Sequence, residues 1–290
     1  MLFNKSPKTI DEQIELLLSR GIIIKDRPKV HDVLTHVNYY RLGAYWLPFE
    51  QDHENHIFRS GTCFDDVLNL YIFDRKLRLL VLDAIERIEV SCRTQWAYFM
   101  AHNHGSHSYL DSALARKESY WVSNLQSLEN EVKRSKEVFI EHYKNKYTEP
   151  DLPPVWAVSE VMSLGLLSRW FTNLKPMTTR KKIANQYNLD HEILASFLRH
   201  LTEVRNICAH HSRLWNRKFT VTLTIPKNPT YLAEKINQNE KRRLYNTLVM
   251  LNYLLNFVSP NNSWQKQLIE LIEEHKINRN LMGFTEKYSI

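Results

Sequence analysis

Arg205, Asn206, His210 and His211 lie close together in the run Glu203-Val204-Arg205-Asn206-Ile207-Cys208-Ala209-His210-His211, at the end of a strongly apolar segment. Arginine keeps its charge at every accessible pH, and an imidazole takes or gives a proton near neutrality. Together they suit the cleavage of RNA, which carries its own nucleophile, the 2′-hydroxyl. A neutral imidazole can remove the hydroxyl proton, and an imidazolium can protonate the departing 5′-oxygen. A guanidinium can brace the charge that grows on the phosphorus oxygens. The products would be a 2′,3′-cyclic phosphate and a 5′-hydroxyl, with no metal required. Asn206 could fix the imidazole tautomer or hold a phosphate oxygen.

Spacing alone is weak evidence, since about 2.6 Arg–His pairs with four to six intervening residues are expected by chance. Position carries more. Ile193, Leu194, Phe197, Leu198, Leu201, Val204 and Cys208 form an apolar stripe at helical spacing. Arg199, Glu203, Asn206 and His210 follow one another at steps of four, three and four, which makes a polar seam on the opposite side. His210 is therefore the better chemical candidate. His211 falls nearer the stripe and reads first as structural; with Arg199 and Arg213 it is also a candidate binding group. Arg205 poses a problem, because five residues on a helix turn through about 140° and rise about 7.5 Å. A straight helix does not aim it where His210 points. The long Arg can bend around, the helix can end near Ala209, or a second copy can complete the seam. In the competing reading Arg205 pairs with Glu203 or another acid and His210 is only a surface residue.

These side chains belong to a chain of 290 residues with net charge +7 and 33 aromatic residues, ample for a core. The basic balance favours a polyanionic partner without proving one. Cys63, Cys92 and Cys208 stand far apart and read as small buried side chains in a reducing compartment. No signal-peptide core and no apolar run near the roughly 20 residues of a membrane span occurs, so the expectation is a cytoplasmic protein without membrane attachment. Six Gly, with no G-x-G-x-x-G and no P-loop, argue against a nucleotide-binding α/β fold. No cofactor is expected. His102, His104 and His107 are close enough to suggest a metal, but no regularly spaced fourth ligand accompanies them.

Periodicity is mostly helical. Thr9 and Glu12 form a capping box, and Gly21 stops that helix. Asp26-Arg27-Pro28 starts a second. This pair could be a helix-turn-helix, though most such pairs are packing units. Residues 38–46 form an aromatic cluster, either a core corner or a base-stacking surface. Residues 64–100 predict one long spine helix with room for a break, and 118–147 another helix with a basic face. Helix resumes over 156–174, a short basic helix opens at Thr178, and Asp190 caps the helix that carries the motif. Residues 219–225 alternate with period two and predict a strand, half of a small hairpin. Leu244 to Leu255 make a late helix, and Ser263 caps the last.

Four stretches resemble the Abi-like family of bacterial abortive-infection proteins, of the AbiD/AbiF type. They are Asn38 through Trp46, Leu70 through Arg78 with Asp83 through Val90, Trp156 with Glu160-Val161-Met162-Ser163-Leu164-Gly165, and Arg205 through Trp215. That family looks like a branch of the HEPN superfamily, helical proteins in which an Arg–polar–x–x–x–His motif marks the ribonucleases. Arg205, Asn206 and His210 match that motif. With the periodicity, the resemblance predicts a mainly α fold: a HEPN-like bundle over 61–290 with an extra helical region over 1–60, or one continuous domain, and, from the alternation alone, at most a small β-hairpin near 219–225. It also implies RNA cleavage by a homodimer in phage defence, with a cognate small structured RNA as a further partner of some relatives. A non-cleaving RNA- or nucleotide-binding module of the same superfamily is the alternative.

Overall fold

The computed structural model describes residue 2 and residues 6–287. The fold is mainly α, with thirteen α-helices and one two-stranded hairpin among the described residues. The chain divides into two compact units: one takes the chain up to Leu77 with Glu270–Ile277, the other Arg78–Ile269 with the C-terminal residues.

In the first unit, α1 (Ile10–Ser19) opens on the capping box: Thr9 Oγ1 accepts from the Glu12 N–H and the Glu12 carboxylate accepts from the Thr9 N–H. Gly21 follows at φ +89°. Asp26 caps α2 (Arg27–His36) by accepting from the Lys29 N–H. Asn38 caps α3 (Tyr39–Trp46), whose Tyr45 and Trp46 are buried. Tyr45 Oη donates to buried Asp74 at 2.6 Å, and Trp46 packs edge-on against Tyr39 and Phe58. The aromatic cluster is thus chiefly a core corner, with Tyr40 left exposed.

The hairpin lies where the alternation did not point. β1 (Glu50–Asp52) pairs antiparallel with β2 (Ile57–Phe58), and Asp52 Oδ1 turns the chain by accepting from the N–H groups of Glu54 and Asn55.

α4 (Phe64–His104) is one unbroken helix of 41 residues, shared between the units. In the second unit its buried stripe is Val81, Ala84, Ile85, Ile88, Cys92 and Trp96. The expected 118–147 helix is two, α5 (Glu118–Arg134) and α6 (Val138–Lys146). Ser135 is extended there and its hydroxyl accepts from the Glu137 N–H, a local bond that competes with helix. The 156–174 helix is likewise split, into α7 (Val155–Val161) and α8 (Leu164–Asn173), because the Ser163 hydroxyl caps α8. α9 (Met177–Asn185), α10 (His191–Ala209), α11 (Thr230–Lys235), α12 (Leu244–Val258) and α13 (Trp264–Glu274) complete the set. Asn262 supplies the side-chain cap at the start of α13, while Ser263 contributes its carbonyl.

α10 and α12 are both largely buried, and His200 joins them. Cys92 and Cys208 are buried as expected, and burial pushes the Cys92 thiol up to about 12. Cys63 is only half-buried.

Residues 219–225 form no strand. Their backbone lies beside α10, whose side chains bond part of it in place of a second strand. The Glu203 carboxylate accepts from the Thr220 and Val221 N–H groups at 3.0 and 2.7 Å. Ser196 Oγ accepts from the Thr224 N–H at 2.8 Å, and the His200 ring bonds the Val221 carbonyl at 2.6 Å. With these polar groups paired, the segment needs no sheet.

Candidate functional site

The chemistry-bearing side chains gather at the C-terminal end of α10. Asp190 starts this helix by accepting from the Glu192 N–H, and the apolar stripe predicted for it is buried. The helix ends at Ala209 with two tightening bonds: the Ser212 N–H reaches the Ile207 carbonyl and the His211 N–H reaches that of Cys208. This is a Schellman ending, and the position that usually holds Gly holds His211 at φ +56°. A non-Gly residue there carries roughly 1 kcal/mol or more of strain, and Asn188 and Lys276 take the same conformation after α9 and α13. His211 is exposed, not on the buried stripe; departure from helical geometry turns it away from the core.

The polar seam of α10 forms one wall of a groove of about 770 Å³. Arg199, Glu203, Asn206 and His210 line it, and the start of α8 faces them with Ser163, Gly165 and Arg169. Gly165 lets the two helices approach: a Cβ there would sit 3.1 Å from Thr202 Cγ2. Ser212 and Arg217 close one end. Three arginines thus border the groove. The acid among its lining residues, Glu203, is engaged by two backbone N–H groups. His210 is exposed, and its ring has no hydrogen-bond partner among the described residues.

Arg205 is not on that wall. It is exposed, donates to Asn206 Oδ1 at a long 3.4 Å, and its charge acts on Glu89 of α4. Burial raises the Glu89 carboxyl above the usual range, and Arg93 and then Arg205 pull it back. Arg93 in turn holds Glu89 and the carbonyls of Glu160 and Met162, so it anchors the α7–α8 junction and with it the groove's far wall. Within one chain, then, Asn206 stands between a groove-lining His210 and an Arg205 that looks toward α4. Of the residues expected from sequence, Arg199, Asn206 and His210 share the groove, whereas Arg205, His211 and Arg213 lie off its wall. Arg169 and Arg217 were missed; only the fold brings them to the seam.

His102, His104 and His107 do not converge. Their rings bond the Tyr98 carbonyl, Thr179 Oγ1 and Ser106 Oγ respectively. Among the described residues no cluster of His, Cys, Asp or Glu could hold a metal, and no helix is long and apolar enough to cross a membrane.

A helical protein whose reactive side chains collect where one buried helix ends, beside an arginine-bordered groove, is the class that this geometry defines. The chain belongs to the Abi-like protein family, whose model matches residues 32–216. That match takes in α10 and the His210–His211 turn and stops before residues 219–225. No curated protein and no solved structure matches the chain significantly.

Proposed function

We propose that this protein is a metal-independent endoribonuclease of bacterial phage defence, of HEPN type, that works as a homodimer. The observation that carries the reading is the placement of His210: exposed, its ring without a hydrogen-bond partner among the described residues, at a helix end, in a groove bordered by Arg169, Arg199 and Arg217. Membership of the Abi-like family supports the defence role.

In this mechanism the groove arginines seat the RNA backbone. His210 takes the proton of a 2′-hydroxyl as that oxygen attacks the adjacent phosphorus. The 5′-oxygen leaves and receives a proton from the second copy's imidazolium. A guanidinium stabilises the charge on the phosphoryl oxygens. Arg205 faces away from its own His210, so the reading assigns it to the site of the other copy. Asn206, bonded to Arg205 and lining the groove, couples the two.

Incubation with RNA in EDTA tests the proposal. The parent should yield 2′,3′-cyclic phosphate and 5′-hydroxyl ends, and Arg205→Ala and His210→Ala should each abolish them. Cleavage by both variants at the parental rate would refute the assignment. One observation favours a second reading, a non-cleaving RNA-binding module: Arg205 and His210 do not share a wall within the chain. On that reading the parent binds RNA in EDTA and leaves it whole.

A further inference from the structure

A second cavity, of about 550 Å³, adjoins the groove and shares Ser168, Arg169 and Arg199 with it. Its far side is built from the start of α5: Arg116, Lys117, Tyr120 and Asn124. Asn173, from the end of α8, fixes that side by clasping Lys117, with its amide bonded to both the backbone N–H and the carbonyl at 3.0 Å. Tyr120 is 57% exposed and Lys117 Nζ lies 5.0 Å from its ring centre. Asn124 differs from these rim residues. It is only 2% exposed, lines the cavity, and its Nδ2 is a buried donor with no partner among the described residues.

A buried donor without a partner is costly, and a ligand acceptor that meets it recovers that cost. Here it is accompanied by an exposed aromatic face and by cations at the mouth, the combination that holds one nucleotide of a single strand. We infer that this cavity is a nucleotide subsite, in which the base stacks on Tyr120, the Asn124 amide turns to present its Nδ2 to the base edge, and Arg116 and Lys117 hold the phosphate. Arg169 and Arg199, common to both cavities, carry the strand from here to His210. Residues 199 and 210 are about 16 Å apart along α10, so the subsite holds a nucleotide some way from the scissile bond, not next to it. The inference rests on the proposed RNA substrate and deepens it: the enzyme reads single-stranded RNA at a distance from the cut.

The test uses binding, so that it does not depend on cleavage. The full chain carrying His210→Ala is titrated into a fluorescein-labelled single-stranded RNA hexamer, and Kd is read by anisotropy. Adding Tyr120→Ala, an exposed change that spares the fold, should weaken binding about tenfold. Adding Asn124→Leu should weaken it severalfold, and an abasic nucleotide at one position of the hexamer should lose affinity against the parent yet not against Tyr120→Ala. Arg116→Ala should reduce the slope of log K against log salt by about one. Tyr98→Ala, exposed on α4, should change nothing. Parental Kd values for both Tyr120→Ala and Asn124→Leu overturn the subsite, as does uridine monophosphate binding as tightly as the hexamer. A parent that binds with these sensitivities but never cuts leaves the subsite standing and removes the nuclease reading. A parent that cuts, with Tyr120→Ala and Asn124→Leu unchanged in both Kd and KM, does the reverse.

Discussion

His200 and His210 stand ten residues apart, at the middle of α10 and at its C-cap, and the two places treat them in opposite ways. His200 is 1% exposed, and both ring nitrogens are taken. The Val221 carbonyl can only accept, so Nδ1 carries the proton; Nε2 then accepts from the Thr247 hydroxyl. The ring is neutral, and burial lowers its pKa. His210, beyond the last helical residue, faces the groove with its ring unpartnered among the described residues. A satisfied, sealed imidazole holds helices together, whereas an open one beside arginines is available for proton transfer. Which role a histidine takes is decided by the face it occupies and by what reaches it.

The sharpest way to break this comparison is to remove each ring in turn. His210→Ala should cost about 10²- to 10⁴-fold in cleavage rate with an unchanged melting temperature, since no bond is lost. Arg205→Ala should cost a comparable factor. Mixing the two inactive proteins under conditions that exchange subunits should recover only part of the activity, because a mixed dimer joins one intact His210 to the other copy's Arg205 but lacks the second imidazolium, and water must protonate the leaving 5′-oxygen. A mixture no more active than either variant alone would contradict the assignment of Arg205 to the other copy's site.

His200→Ala should act in the other direction. It strands the Val221 carbonyl and opens a space between α10 and α12, so a stability loss of about 2–4 kcal/mol is expected from denaturant titration. If His210→Ala destabilises as much as His200→Ala, the division between structural and chemical histidine fails.

The same contrast appears on the pH axis. His200 binds its proton more weakly folded than unfolded, so the unfolded chain gains a proton that the folded chain refuses. Its contribution to stability is complete above the ordinary imidazole value near 6.5 and is lost as pH falls below it. His104, His107 and His275 are lowered by burial too and act in the same sense. His200→Gln should therefore flatten the fall in stability between pH 6.5 and 5 without abolishing it. An unchanged slope would mean that His200 is protonated in the fold.

Much of this arrangement is written in the chain. The three–four spacing of Arg199, Glu203, Asn206 and His210 does mark one wall, and the 140° offset of Arg205 does put it elsewhere, because both follow from helix geometry alone. Thr9, Asp26 and Asp190 act as the caps their types suggest. Arg169, Arg217 and the approach at Gly165 are not legible, since they depend on which helix packs against which. The hairpin was misplaced for a related reason. Alternation records which residues are buried, not what pairs the backbone, so residues 219–225 alternate against α10 as well as they would in a sheet. Asp52-His53-Glu54-Asn55 gives no such alternation and turns through side-chain bonds instead.

Glu203 marks where α10 passes from one role to the other, lying three residues beyond His200 and seven before His210. It lines the groove, but its two oxygens are spent on Thr220 and Val221. Glu203→Gln keeps the shape and one acceptor oxygen. It should cost about 1 kcal/mol, the net worth of one hydrogen bond. Amide exchange should quicken at Thr220 and Val221, while Thr224, held by Ser196, stays protected. Cleavage should change less than threefold, since the carboxylate positions the backbone and does not face the phosphate. A much larger loss of activity with exchange unaltered would move Glu203 from the scaffold into the chemistry, and the boundary between the two halves of the helix would then lie nearer His200.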